Sequence, residues 1–452
     1  MDAKKNTAQL KKFEEMVAAC NRCGYCTSYC PTYISTGSEA QSPRGRNQAF
    51  RALLEGKIKD PADIKDIVDT CLLCGECTSV CFSEVPTAQL MVHARHIINE
   101  SMGVPKFLSF VLKKVLPSPR RLRFVLKVLF WGKRLGFAWI LAKTGLLKKI
   151  SVQAEAAAAL ITSAPTKFLL DYKETKPYQE KVVSEKERDS FVARQKSKTL
   201  APFNPKGRAK IAYMPVCGSQ YIRPEIGLAT LKLFQALNLD FTIPDLLCCG
   251  LPAASYGVND QVKAMAKENI ARLERSHFEA IIADDSSCTA HIKDYPKFFT
   301  DDPAWAGRAA TLASSVRELS SFFIQWGLLD KLKTASWSGG PIAYHDPCKA
   351  QYGQKVTQPP RTLLSAIRGI KIVDVMDADQ CCGGGGTYSF VQPELSKDVL
   401  SRKVANVAKA GCKILVTSSS SCLIQLASGL RSKTPKIEIL HLSEFLARAL
   451  KR

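Results

Sequence analysis

The chain has 452 residues, 17 cysteines and a formal net charge of +23, and its 46% hydrophobic content is enough for a sizeable core. The length predicts about three domains of roughly 150 residues each, and the charge points to an anionic membrane surface, an acidic partner or nucleic acid. The opening MDAKKNTAQLKKFEEMV is polar and lacks the apolar core of a secretory signal, so cytoplasmic, reduced thiols are expected, which excludes a disulfide framework in favour of metal or cluster ligation.

Residues 1–100 carry two cysteine runs around a helix-prone insert. CNRCGYCTSYCP holds Cys20, Cys23, Cys26 and Cys30, followed by Pro31, and CLLCGECTSVC holds Cys71, Cys74, Cys77 and Cys81. The insert SPRGRNQAFRALLEG places Pro43 near a turn and then follows a helical period. C-x2-C-x2-C-x3-C is the spacing of bacterial ferredoxins: three thiolates from one short loop take three corners of a [4Fe-4S] cube, and the fourth ligates the other cluster. That pattern groups Cys20, Cys23, Cys26 and Cys81 around one cluster, and Cys71, Cys74, Cys77 and Cys30 around the second. A zinc site would take two C-x2-C pairs per ion, not two runs of four. Phe82 stands where a proline would follow the last cysteine, but that position shapes a turn and supplies no ligand.

Residues 101–205 contain no cysteine. Val104 to Ile150 carries twelve Lys or Arg and no Asp or Glu, interleaved with Phe107, Phe110, Phe124, Phe130, Trp131, Phe137 and Trp139. Pro117 and Pro119 predict short helices instead of one rod. Two readings compete: cationic helices lying on an anionic leaflet, or a linker whose apolar face packs on its neighbours while its lysines are solvated. The lack of any acidic residue favours the first. No uncharged apolar run approaches the ~18 residues of a spanning helix, Leu135 to Ala142 being among the longest in the basic region. EKVVSEKERDSFVARQKSK reads as a solvated linker.

Residues 206–452 repeat themselves. KIAYMPVC ends at Cys217 and PIAYHDPC at Cys348, while LLCCGLPAASYG matches DQCCGGGGTYSF and so aligns Cys248 and Cys249 with Cys381 and Cys382. EAIIADDSSC ends at Cys288 and KILVTSSSSC at Cys422. The offsets of 131, 133 and 134 residues are nearly constant, as a duplicated unit requires. Strand-like runs alternate with amphipathic stretches such as EIGLATLKLFQAL and ELSKDVLSRKVANVAK, which predicts α/β units with mainly parallel sheets. Ligands of such sheets sit at the carboxyl ends of the strands, where these cysteines fall. Cys412 is left over and reads as a buried, apolar-like thiol.

The order of one cysteine, then CCG, then another cysteine, with HDPC opening the second copy, resembles the cysteine-rich CCG domain. That domain is shared by heterodisulfide reductase subunits, by the iron–sulfur subunit of anaerobic glycerol-3-phosphate dehydrogenase, and by the iron–sulfur subunits of glycolate oxidase and related D-lactate dehydrogenases. HDPCKAQYGQK, CCGGGGTYS and QPELSKDVLSRKV are most similar to the glycolate oxidase subunit, and the ferredoxin-then-two-CCG order covers nearly the whole chain. The resemblance implies an α+β multidomain chain: a mostly helical two-cluster ferredoxin-like domain (1–100), a helical basic linker (101–205), and two α/β CCG domains (206–335 and 336–452). It implies that Cys217, Cys248, Cys249 and Cys288, and likewise Cys348, Cys381, Cys382 and Cys422, hold one or two further [4Fe-4S] clusters or one zinc ion. It also implies an electron-transfer subunit, fed by an FAD-containing dehydrogenase of glycolate or D-lactate and discharging to quinone or another acceptor at the inner face of the cytoplasmic membrane. Nothing in the sequence resembles a flavin-binding or hydride-transfer site, so substrate chemistry is expected on the partner. Nucleic acid fits the charge but not the redox apparatus.

Heterodisulfide reductase ends its motif in C-x2-C, and the five cysteines hold an unusual noncubane cluster. Here Asp285 and Ser419 occupy the penultimate positions, which suits a four-thiolate site and argues against disulfide reduction, one competing activity; the other is that of the iron–sulfur subunit of an anaerobic glycerol-3-phosphate dehydrogenase. CCGGGG does not fit the GxGxxG of a phosphate loop. Adjacent thiolates can instead grip one centre from a turn, and glycines let backbone N–H groups reach the sulfurs, which raises the reduction potential. Of six histidines only His345, beside Cys348, is expected near a site, where it orders the loop or tunes a cluster.

Overall fold

The computed structural model describes residues 3–136, 160, 164–180, 210–275, 278–433 and 436–451. Its N-terminal part is helical: α1 (Ala3–Ala18), α2 (Pro31–Thr36), α3 (Pro43–Leu54) and α4 (Thr87–Met102). Ser42 starts α3 by accepting from the Gly45 N–H at 3.0 Å, with Pro43 in the first turn where its missing N–H costs nothing. Phe13 and Val17 of α1, Phe50 of α3, and Leu90, Met91 and Ile98 of α4 close a small apolar core. Both cysteine runs lie in connections between these helices.

The basic segment breaks at its prolines, as the sequence predicts. A short helix, Lys106–Phe110, runs into a wide turn at Val111–Val115, and α5 (Pro119–Arg134) follows. One side of it packs on its neighbours. Leu112 packs with Leu247, Ala254, Val258 and Met265, and Phe130 packs with Phe168 and Tyr221. On the other side Phe107, Phe124 and Trp131 are 79%, 69% and 61% exposed, so packing against the rest of the chain consumes only part of the apolar surface. Phe137, Trp139 and the remainder to Ile150, like the solvated linker, lie outside the described residues. Among the described residues no helix is long and apolar enough to cross a membrane.

The repeated half builds two small parallel sheets. The first has the order β2-β1-β3-β4 from β1 (Ile211–Met214), β2 (Phe241–Thr242), β3 (Ala280–Ala283) and β4 (Val316–Arg317). The second has the order β5-β6-β7 from β5 (Ile342–Tyr344), β6 (Ile414–Thr417) and β7 (Glu438–His441). Strands β1, β3, β5 and β6 are wholly buried, which is why they read as unbroken apolar runs and not as alternating ones. Helices α6 (Pro224–Ala236), α7 (Asn259–Glu274), α8 (Ser286–Lys293), α9 (Pro393–Lys409), α10 (Ser420–Lys433) and α11 (Leu442–Ala449) supply the cover. The copies share one core: Tyr213, Phe234 and Phe322 of the first copy with Trp337, Leu442 and Phe445 of the second.

Polar contacts seat the N-terminal helices on both copies. Arg95 donates to the carbonyls of Ser255 (2.6 Å) and Cys71 (2.7 Å), and Gly257 passes so close that a Cβ there would lie 2.5 Å from the His96 nitrogen. Arg402 of the second copy donates to the Pro31 carbonyl and Tyr388 to the Thr70 carbonyl, each at 2.9 Å.

Candidate metal centres

The ferredoxin-like runs converge in two groups of four. Burial pushes the Cys26 thiol up to about 11, and the nearby Cys20, Cys81 and Cys23 push it the same way. Cys81 thus reaches the first three cysteines from the end of the second run. Burial also raises Cys77, with Cys71, Cys30 and then Cys26 crowding it. Cys30, Cys71, Cys74 and Cys77 line a small pocket together with Arg46.

Each CCG copy gathers four thiols at the carboxyl ends of its strands. In the first, Cys217 follows β1, Cys248 and Cys249 follow β2, and Cys288 sits in the first turn of α8 beyond β3. The thiols form an unbroken chain of contacts, Cys217 to Cys248 to Cys249 to Cys288, with 3.4 Å between the last two sulfurs. Cys248 is held well below the usual thiol range because Cys217 and Cys249 both donate to it, helped by the Gly250 N–H at 3.5 Å. In the second copy the chain runs Cys348, Cys381, Cys382, Cys422. Cys412 lies apart, buried among Val404, Val407 and Leu430.

Two of the four glycines after Cys382 have separate tasks. Gly384 turns its N–H to the Cys382 sulfur. Gly383 adopts φ +82°, and a Cβ on it would lie 2.6 Å from the Ser396 carbonyl oxygen. Gly383→Ala is therefore expected to cost about 2–4 kcal/mol, from left-handed backbone plus the clash. A shift of the denaturation midpoint measures this, and an unchanged midpoint would show that the turn can relax.

Buried thiols in contact with one another cannot all ionise unless a cation compensates them. A metal centre supplies that charge, and four thiolates per site is the donor set of a [4Fe-4S] cube or of zinc. All four sets fit such a group. Their spatial order differs from their order in the sequence. Cys74 stands beside Cys348 and Cys381, with Leu72 packed against Cys381 and Tyr388. The second copy, not the first, therefore adjoins the ferredoxin-like sets. The first copy's thiols face the basic segment instead, in a small cleft that Leu116, Pro119 and Leu122 help to line.

Asp285 and Ser419, at the positions of the missing fifth cysteines, meet each other. The Asp285 carboxylate accepts from Ser287 N–H (2.7 Å) and Cys288 N–H (3.2 Å) of its own helix, and across the repeat axis from Ser419 Oγ (3.1 Å), Ser420 N–H (2.6 Å) and Ser420 Oγ (2.8 Å). A structural knot replaces two ligands.

Sequence reasoning missed two residues. Arg46 is 1% exposed and brings Nη1 to 3.6 Å from the Cys30 sulfur, in a stretch that the sequence reads only as a turn leading into a helix. The expectation that His345 is the one histidine near a site needs correction, because His291 lies beside Cys248 at the first CCG site and burial holds it down at about 4. Its position three residues after Cys288 on α8 was the available signal, since such neighbours share a helix face.

A helical domain with two thiol fours, joined to twin α/β domains with one four each, defines a multi-centre iron–sulfur electron carrier. A family model described as a 4Fe-4S dicluster domain matches residues 16–85, a cysteine-rich domain model matches 211–293 and 342–427, and a model of the glycolate oxidase iron-sulfur subunit linker region matches 104–161. The chain is 28% identical to the probable glycolate oxidase iron-sulfur subunit of Bacillus subtilis (strain 168), over 95% of this chain and 93% of that one. It is 25% identical to the glycolate oxidase iron-sulfur subunit of Escherichia coli (strain K12), over 99% and 98%. Lactate utilization protein A of Exiguobacterium sp. (strain ATCC BAA-1283 / AT1b) is 29% identical over 54% of this chain and 98% of its own. The chain belongs to the glycolate oxidase iron–sulfur subunit family.

Proposed function

We propose that this chain is the electron-transfer iron–sulfur subunit of a 2-hydroxy-acid dehydrogenase complex acting on glycolate or lactate. The observation that carries the reading is the succession of thiol sets, from Cys20/Cys23/Cys26/Cys81 through Cys30/Cys71/Cys74/Cys77 to the second CCG site and then the first. A bound iron–sulfur centre supplies one-electron transfer. The chain's own residues fix the spacing, exclude water with Leu72 and Tyr388, and donate to sulfur through Arg46, Gly250 and Gly384. An FAD-containing partner subunit performs the oxidation. Asp285 and Ser419, tied to each other, weigh against a disulfide reductase that needs a fifth thiolate.

Anaerobic affinity purification from the native host tests this: a flavoprotein that oxidises glycolate or lactate is expected to co-purify. Iron analysis should give about twelve or sixteen atoms per chain if one or both CCG sites hold cubes, and about eight if neither does. A chain free of iron and labile sulfide would falsify the assignment.

The exposed apolar side of the basic segment, beside the cleft to the first CCG site, supports discharge to a membrane-borne acceptor such as quinone at the inner face of the cytoplasmic membrane. Lys113, Lys114, Arg120 and Lys127 are exposed there. Replacing all four with Gln is expected to weaken binding to vesicles containing anionic lipid by about 1 kcal/mol per charge. Co-sedimentation equal to wild type would remove the membrane from the reading.

A further inference from the structure

The two CCG sites are not equivalent. Strand β1 ends IAYM and the matching run at β5 reads IAYH, so Met214 stands in the first copy where His345 stands in the second. His345 is 2% exposed, and its Nδ1 lies 3.1 Å from the Ala378 carbonyl oxygen. A carbonyl only accepts, so Nδ1 carries the proton and the neutral ring presents a lone pair at Nε2. That Nε2 has no hydrogen-bond partner although it is buried. A ring nitrogen of His345 lies within 4.8 Å of the sulfurs of both Cys382 and Cys422, which are themselves within 4.8 Å of each other, and with Nδ1 engaged by the carbonyl it is Nε2 that is free to serve them. An imidazole lone pair turned towards thiolate sulfurs is repelled by them unless a cation sits between. A metal-binding histidine commonly has its other ring nitrogen fixed by a backbone carbonyl in this way.

We propose that His345 Nε2 is a metal ligand, making the second CCG site a mixed thiolate–imidazole centre with Cys382 and Cys422 beside it and Cys348 and Cys381 completing the set. Five donors exceed the four that tetrahedral zinc or a [4Fe-4S] cube with one ligand per iron takes, so this site departs from the four-donor set of the other three. The inference rests on the reading that the thiol sets hold iron–sulfur centres, and extends it by separating the two copies. The first site has Met214 in place of this ligand, and its own buried histidine, His291, enters from α8, where the second copy has Gln425.

Pulsed electron paramagnetic resonance on the reduced full chain, labelled with 15N-histidine, tests the proposal. A nitrogen coupling of the strength of a direct metal–imidazole bond is expected in the wild type, retained in H291Q and lost in H345M. H345Q is made in parallel, because its amide can keep the Ala378 contact if methionine disturbs the fold. Iron-loaded protein with no such coupling, or with one that survives H345M or H345Q and vanishes in H291Q, overturns the ligand assignment while leaving the electron-carrier reading intact. A chain with no iron or labile sulfide overturns both.

Discussion

Asp285→Ala is expected to destabilise the paired CCG domains by about 3–5 kcal/mol, the cost of removing one partner from a buried charged network. The carboxylate is 3% exposed and answers five donors, two in its own helix and three in Ser419 and Ser420 of the other copy. Alanine leaves the Ser287, Cys288 and Ser420 N–H groups without an acceptor in a place that the adjoining bonds, Ser286 N–H to the Ser418 carbonyl (3.1 Å) and Ser286 Oγ to Ser418 Oγ (2.8 Å), keep closed to water. Denaturant unfolding followed by circular dichroism reads the loss as a lower midpoint. Asp285→Asn retains one acceptor oxygen and should lose less. Asp285→Cys is the sharper variant: it restores the fifth thiol of the reductase pattern yet breaks the same five bonds. Its stability should fall as far as that of the alanine variant. Cys288 is capped by this carboxylate, so a drop in iron content should accompany the drop in stability. A midpoint within about 0.5 kcal/mol of wild type, the range of an ordinary surface change, would mean that the knot is not holding the copies together.

How far the sequence discloses this arrangement depends on which interactions are local. The grouping of Cys20, Cys23 and Cys26 follows from a spacing that a short loop imposes, so it is legible, whereas Cys81 joins them only through the ferredoxin pattern of the other run. The strand-end placement of Cys217 and Cys348 is legible too, because IAYMPVC and IAYHDPC repeat an apolar run that only a buried parallel strand explains. Domain docking leaves no periodic trace. Arg95, Tyr388 and Arg402 reach carbonyls far away in the chain, and nothing around them marks them as contacts, so the adjacency of Cys74 to Cys348 emerges only in three dimensions. The basic segment shows a third limit. Its periodicity reveals apolar positions, but which stripe meets Leu247 and Met265 and which stays exposed depends on the neighbour's shape.

Arg46 combines both kinds of effect, and its replacement by methionine is expected to change stability and potential together. The side chain donates to the Ile67 carbonyl (3.0 Å), to Thr32 Oγ1 and Thr70 Oγ1 (2.9 Å each), and approaches Cys30 Sγ at 3.6 Å. Methionine fills much of the volume and removes every one of these bonds, so a loss of about 3 kcal/mol is expected. A cation and an N–H beside a sulfur both favour the reduced, more negative state of the centre that Cys30, Cys71, Cys74 and Cys77 would hold. Without them its midpoint should fall by on the order of 60 mV, one tenfold change in a one-electron equilibrium. A redox titration monitored by electron paramagnetic resonance should show this shift, with the centre of Cys20, Cys23, Cys26 and Cys81 moving less. Arg46→Lys separates the causes. Lysine keeps the charge but cannot reach Thr32, Thr70 and Cys30 as one planar fork. Recovery of the potential without recovery of stability would assign the tuning to charge, whereas recovery of neither would assign both to the fork. A folded Arg46→Met chain with unmoved midpoints would reduce Arg46 to packing.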